Sequence, residues 1–446
     1  MKQLALLSVA ALLIPQVAGA FGGVFVGAAG DNLTSSLSQV VVVREGNQTT
    51  MTLAAGYEGD ATQFGLVIPV PVVVEAADIK EIEPTVIEYL DVNAAPRAVS
   101  HNCDDFYFVG EGTGLRTNSC SSCGSPPKVI SRMAIDPPLA PEPLMLTRLE
   151  PEFLVGEWLV TPLTEAESEE VVIWLETAGY AIDSQTALAL QEHVVAGSAF
   201  VVARMTLDQA PSVPSFLPPL QLTFEAYTFE VPTKLGTLNA VGSQELLVTG
   251  IGDFEDGQLS IGNLAERPYG DQSSCLYYEH DWDSFDAFFA GRLDEVLDEE
   301  GSWALEFSWG RGECSCNESE YLTDNMLAAL GFEGAVADAF VTRLRARYSA
   351  QGLTDDLVLY HSGGTDFFQA LYVEYLPEME EFFALCGEDD AENPTTCEDT
   401  ETAARRLPPG PTQYGGVGLG ALMLLGGFTR RWRFKPRPSY RDTRKV

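Results

Sequence analysis

Two rhythms of hydrophobic and polar positions are interleaved along the chain, one of period two and one near 3.6. The period-two stretches predict strands. Val40 to Arg44 and Thr50 to Gly56 flank the turn-forming Glu45-Gly46-Asn47-Gln48 and read as a hairpin. Phe64 to Val70 is a short apolar run of the kind buried on both faces, closed by Pro69 and Pro71. Phe200 to Met205 and Leu220 to Val231 continue the set, the second with Leu220, Leu222, Phe224 and Ala226 on one side. Trp303, Leu305, Phe307 and Trp309 alternate with Ala304, Glu306 and Ser308. Phe340, Thr342, Leu344, Ala346 and Tyr348 stand opposite Val341, Arg343, Arg345 and Arg347.

The longer rhythm predicts helices. Pro84 suits a first turn, with Ile87 and Leu90 facing inward. Thr164 and Glu167 have the spacing of a capping box, ahead of an inward stripe of Val171, Trp174, Leu175 and Ala178 and a stop at Gly179. A further helix is predicted from Ser184 to Ala196, ending at Gly197, and another after Ser284 with Phe285, Phe288, Phe289, Leu293, Val296 and Leu297 on its apolar face. From His101 to Pro143 there is no sustained period, and the segment reads as irregular. Strands mixed with a few helices, and no fixed-period repeat, predict an α+β fold of antiparallel sheets with packed helices.

Composition refines the ends of this picture. Residues 1–20 have the parts of a secretory signal peptide: Lys2, an apolar stretch from Leu4 to Ile14 and the small-residue site Ala18-Gly19-Ala20. A body follows, divided as 21–260 and 261–386, each part α+β. Residues 387–413 turn acidic and then proline-rich, the composition of a linker. Residues 414–433 form a transmembrane or sorting segment and 434–446 a basic tail. Tyr414 to Phe428 would form a short apolar helix reaching about 22 Å, below the ~30 Å of a hydrocarbon core. Permanent anchor, processed signal and buried core helix all stay open for it. The Gly pair (Gly415, Gly416), the apolar stretch and the arginines Arg430, Arg431 and Arg433 resemble bacterial Gly-Gly-type C-terminal sorting signals, which implies a membrane sorting protease as partner. The run from Lys435 to Val446 departs from that pattern.

Charge excludes one class of function. The formal net charge is −39, and the basic tail makes the body more acidic still. Nucleic acid is therefore not expected as a partner, because phosphate binding needs clustered Lys and Arg.

Eight cysteines, Cys103, Cys120, Cys123, Cys275, Cys314, Cys316, Cys386 and Cys397, read in an exported chain as a disulfide framework. The pairs favoured are Cys386 with Cys397, Cys103 with the Cys120/Cys123 group and Cys275 with the Cys314/Cys316 group. His101, Cys103, Cys120 and Cys123 also make a set of four soft ligands that suits zinc, and Cys120-x-x-Cys123 has redox spacing; disulfides are the blander reading of the same residues. Two acidic runs, Asp253-x-Glu255-Asp256-Gly257 and Asp281-x-Asp283-x-x-Asp286, lack the twelve-residue calcium loop. Arg343, Arg345 and Arg347 lie on one strand face about 6.6 Å apart. They suit an anionic ligand or, more commonly, carboxylates on neighbouring strands. The histidines His101, His193, His280 and His361 have no metal-binding helical spacing, and there is no nucleophile elbow, P-loop or dinucleotide fingerprint. No catalytic residue and no cofactor is assigned.

Several stretches in fixed order resemble an uncharacterised family of exported bacterial proteins, domain-of-unknown-function family 2330. They are Phe64-Gly65-Leu66-Val67-Ile68-Pro69-Val70-Pro71, Trp174-Leu175 with Gly179-Tyr180, Phe200-Val201-Val202, Pro219-Leu220 with Phe224, Leu305-Glu306-Phe307-Ser308-Trp309, Val341-Thr342-Arg343-Leu344 and Asp356-Leu357. Members often carry a Cys just after the signal, where Phe21 stands here, and a Cys-x-x-Cys that appears here as Cys314-x-Cys316. The resemblance implies export and surface association, and it brings no activity. The leading expectation is a non-catalytic binding or structural protein in the periplasm or at the cell surface, attached through its C-terminal segment, with a protein or surface ligand left unnamed. The rivals are an extracytoplasmic hydrolase with dispersed catalytic residues and a thiol or zinc module.

Overall fold

The computed structural model describes residues 22–35, 37–99, 152–208, 215–240, 242–269, 276–278, 285–298, 300–310, 322–366 and 368–374. The expected signal sequence, linker and C-terminal segment, all eight cysteines, His101, His280, and Asp281 and Asp283 of the second acidic run lie outside them.

Two β-sheets account for most of the described chain. The smaller runs Val24–Val26, Gln63–Val70, Ala199–Thr206, Trp158–Pro162, Phe153–Val155, all antiparallel. The larger, of nine strands, runs Ala265–Glu266, Ser302–Gly310, Ala339–Tyr348, Gln244–Asp253, Leu37–Glu45, Gln48–Ala54, Leu220–Glu225, Ile79–Glu81, with Phe368–Gln369 added on Ser302–Gly310. The expectation of antiparallel sheets needs correcting here, because Leu37–Glu45 and Gln244–Asp253 pair in parallel at the centre of the larger sheet. Parallel neighbours need a long crossover, which the intervening chain supplies.

The main core contains one face of each sheet: Phe64, Leu66, Ile68, Val201 and Met205 from the smaller, Val40, Val42, Met51, Leu53, Leu246, Val248 and Leu344 from the larger. Such burial on both sides explains why Val40–Val43 and Phe64–Val70 are near-continuous apolar runs rather than alternating ones. Strands on either side of residue 260 share the larger sheet and this core, so the two halves expected on sequence fold together there.

Helices cover both outer faces. On the larger sheet lie Pro84–Ala94 (α1), which buries Ile87 and Leu90 as expected, and a later pair described below. On the smaller sheet lie Glu165–Glu169 (α2), Val171–Ala178 (α3) and Ser184–Ala196 (α4), whose Val171, Leu175 and Leu190 pack on Val67, Phe200 and Val202. The capping box at Thr164 and Glu167 is formed. Gly179 and Gly197 end α3 and α4 in the left-handed conformation, at φ 102° and 85°, where a Cβ would be strained. The one helix expected from Thr164 to Ala178 is two, broken at Glu170 (φ −115°, ψ 29°).

A one-turn helix Thr233–Gly236 (α5) follows a second correction. The strand expected across Leu220–Val231 stops at Glu225, turns, and resumes as Glu230–Val231 in a separate sheet with Leu357–His361 and Leu259–Ile261. Phe285–Val296 (α6) and Asp324–Ala329 (α7) complete the cover of the larger sheet. The layers, helix, sheet, sheet, helix, make the fold α+β.

Candidate functional site

Among the buried charges of the described residues, which include the Arg204–Glu152 pair, two groups connect several elements. The first is the arginine strand. All ten residues of Ala339–Tyr348 are buried; Leu344, Ala346 and Tyr348 enter the main core, and the opposite face carries Arg343, Arg345 and Arg347 beneath α1 and α6. The three guanidiniums alternate with four carboxylates in one unbroken chain. Asp91 of α1 accepts from Arg343 Nη1, and Arg343 Nε donates to Glu306 Oε2 at 2.6 Å. Arg345 Nε donates to Glu306 Oε1 at 2.6 Å and Arg345 Nη1 to Glu245 Oε2 at 3.0 Å. Arg347 Nη2 donates to Glu245 Oε1 at 2.5 Å, and Arg347 Nη1 to Asp294 Oδ1 of α6 at 2.9 Å. Only the last member, Asp294, is open to water, at 69% side-chain exposure.

Glu306 is the keystone, and a bulge puts it there. Ala304 lies opposite Arg345 and Phe307 opposite Arg343, and the register shifts between Leu305 and Phe307. The extra residue, Glu306, is thereby directed between the two arginines, the local re-aiming that bulges produce. The alternation expected from Trp303 to Trp309 breaks at this point. Trp303 and Leu305 face the main core, whereas Phe307 packs on the outer face with Val41, Val43 and Val341. Glu306 has no exposed surface and also accepts from the Tyr269 hydroxyl at 3.0 Å. Burial opposes its ionisation, but the charges of Arg345 and Arg343 and their hydrogen bonds prevail and hold its carboxyl below the ordinary glutamate range. Phe289 of α6 closes the ladder, its ring 5.6 Å from the Arg345 guanidinium.

The second is the seam between α4, α5 and the chain entering Leu357–His361. Asp356 Oδ1 accepts from the Lys234 amide at 2.9 Å, its carbonyl accepts from Asn263 Nδ2 at 2.8 Å, and its Oδ2 stands 3.9 Å from His193 Nδ1. Both side chains are mostly buried, at 12% exposure for His193 and 19% for Asp356. Burial pushes the Asp356 carboxyl up to about 6, with the Lys234 amide and ammonium resisting and Asp355 adding to the rise. Burial likewise lowers the His193 imidazole, helped by Lys234 and opposed by Glu192. Glu230, opposite Val358 in the neighbouring strand, is raised by burial and by Asp356 and Asp355.

His361 sits elsewhere, stacked on Phe229 with ring centroids 5.8 Å apart and Nδ1 3.4 Å from the Gly257 carbonyl. It thus approaches the acidic run Asp253–Gly257, but no group of three metal-ligating side chains forms among the described residues. No helix among the described residues is long and apolar enough to cross a membrane. The zinc set and the disulfide pairs fall on residues outside the described ones.

The class defined by this architecture is an α+β sandwich with a buried ion ladder. The model of the bacterial family DUF2330, described as an uncharacterized protein conserved in bacteria, matches residues 16–360, and the chain belongs to that family. No curated protein matches the chain significantly. Among solved structures, baculovirus P35 aligns over 74% of this chain and 97% of its own at 8% identity, with a TM-score of 0.27. A mutated baculovirus P35 after caspase cleavage aligns over 73% and 99% at 8% identity, with a TM-score of 0.25. Likenesses at such TM-scores add nothing to the fold described above.

Proposed function

We propose that this chain is a non-catalytic exported protein, held at the membrane or cell surface through its C-terminal segment, that works by binding or by structural support. The observation that carries the reading is the ladder. The three arginines that the sequence offers as an anion site each engage carboxylates inside the fold, beneath α1 and α6. Charges held in this way set one arrangement of helices on the sheet and leave little for a ligand.

One observation favours the hydrolase reading: a histidine beside a carboxylate, both with displaced titration. Among the described residues no hydroxyl hydrogen-bonds that imidazole, so the pair lacks the nucleophile that an acyl-transfer site needs.

The test joins location to chemistry. The native protein is taken from fractionated cells, its intact mass measured, and the full chain offered ester, peptide and glycoside substrates. A mass beginning near Phe21, recovery with the envelope and no turnover support the proposal. Turnover that His193→Gln abolishes while the chain stays folded would overturn it.

A further inference from the structure

We propose that Asp356 and His193 form an acid-closed clasp that fastens α4 and α5 to the strand Leu357–His361 when the surroundings turn mildly acidic. Geometry is the first argument. Asp356 Oδ2 and His193 Nδ1 face each other across 3.9 Å, beyond hydrogen-bonding distance. Taking up one proton from solvent leaves the pair with a proton to share whichever imidazole tautomer is present, and the gap closes as a charge-assisted or neutral hydrogen bond.

Asp356 is well placed to transmit that closure. Its other oxygen holds the Lys234 amide of α5, its carbonyl is held by Asn263, and Asn263 in turn accepts from the Val358 amide at 3.0 Å. The neighbouring Leu357 amide donates to Thr233 Oγ1 at 3.2 Å. One proton therefore acts on a junction of two helices and two strands.

Glu192 lies on α4, Lys234 on α5, Glu230 on the facing strand, Asp355 on the same loop, and the buried Tyr348 hydroxyl feels Asp356 from the arginine strand. Lys234 is shared with Glu192 at 2.6 Å, so it only partly offsets the mutual repulsion of Glu230, Asp355 and Asp356. A proton on Asp356 relieves that repulsion. The rise of its carboxyl to about 6 and the fall of the imidazole agree in placing the uptake on the carboxylate side of the pair.

Hydrogen–deuterium exchange of the full-length chain at pH 7.5 and pH 5.0, corrected for intrinsic exchange, reads the clasp in peptides covering Thr233–Gly236 and Leu357–His361. Opening of the wild-type junction is expected to fall about tenfold at the lower pH. Asp356→Asn, which keeps the oxygen for the Lys234 amide but cannot titrate, removes that response. His193→Gln lowers protection several-fold at pH 5.0 and leaves pH 7.5 unchanged, which a merely structural histidine would not do. Equal opening at both pH values in the wild type, or an unchanged response in either variant, would overturn the proposal. Should Asp356→Asn not fold, the wild-type and His193→Gln arms decide alone.

Discussion

The ladder beneath α1 and α6 and the seam beside α4 and α5 are built from the same materials and behave in opposite ways. In the ladder each buried carboxylate lies between two guanidiniums or at the end of the row, so burial is compensated and Glu306 titrates below its ordinary value. In the seam the carboxylates outnumber the cations, one backbone amide is the main compensation, and Asp356 titrates above its ordinary value. The lesson is that burial alone does not set the sign of a pKa shift; the count and geometry of opposite charges do. Linkage then gives the two regions opposite responses to acid. The Glu306 contribution is present above the unfolded value near 4.5 and is lost as pH falls through its lower folded value. The ionised Asp356 costs stability above pH 6, and that cost disappears as pH falls toward 3.8. Between pH 7.5 and 5 Glu306 stays ionised while Asp356 takes up its proton.

Removing the keystone should break the comparison most severely. Glu306→Gln leaves Arg343 and Arg345 buried with half their compensation, and loss of one partner of a buried pair costs about 3–5 kcal/mol. Chemical denaturation followed by circular dichroism measures it. A loss below about 1 kcal/mol would mean that the ladder is incidental to stability.

Asp356→Asn should act in the reverse direction. The variant cannot ionise, so at pH 7.5 it is expected to be more stable than the wild type by about 2–3 kcal/mol, the free energy of a shift from 3.8 to about 6. The gain should shrink as pH falls and approach zero near pH 4. Denaturation midpoints at four pH values test this. A constant difference across the series would show that the effect is packing and not titration.

Much of the fold can be read from local pattern, because the pattern records burial. The alternation over Phe340–Tyr348, the apolar run of Phe64–Val70, the capping box at Thr164 and the glycine stops at Gly179 and Gly197 all depend on residues within a few positions of one another. Pairing of the arginines with carboxylates was also the commoner expectation for such a row. The identity of the partners was not legible. Asp91 and Glu306 stand 252 and 37 residues from Arg343. The bulge at Glu306 is hidden by an alternation that runs through it without a break. The sharp turn after Glu225 is equally hidden, although Arg44 holds it through the Ala226 carbonyl at 2.7 Å and the Thr228 carbonyl at 3.3 Å. At the seam, His193 and Asp356 meet only because α4 and the Leu357–His361 strand flank α5, an outcome of topology that no local spacing announces.

The smallest effect belongs to the one place where the ladder reaches water. Asp294 binds the same Arg347 as Glu245, with comparable hydrogen-bond lengths of 2.9 and 2.5 Å. Their surroundings differ: 69% of the Asp294 side chain is exposed against 10% of Glu245. Water and salt screen an exposed carboxylate, and its loss leaves no uncompensated group, because Arg347 retains Glu245. Asp294→Asn should therefore cost no more than about 0.5 kcal/mol, and less at high ionic strength. Glu245→Gln, which strips a shared partner from both Arg345 and Arg347, should cost several times as much and show little salt dependence. Denaturation of the two variants at low and high salt compares an inner and an outer rung on one guanidinium. Equal costs would mean that the ladder is not graded by depth, and that α6 is held by its phenylalanines rather than by charge.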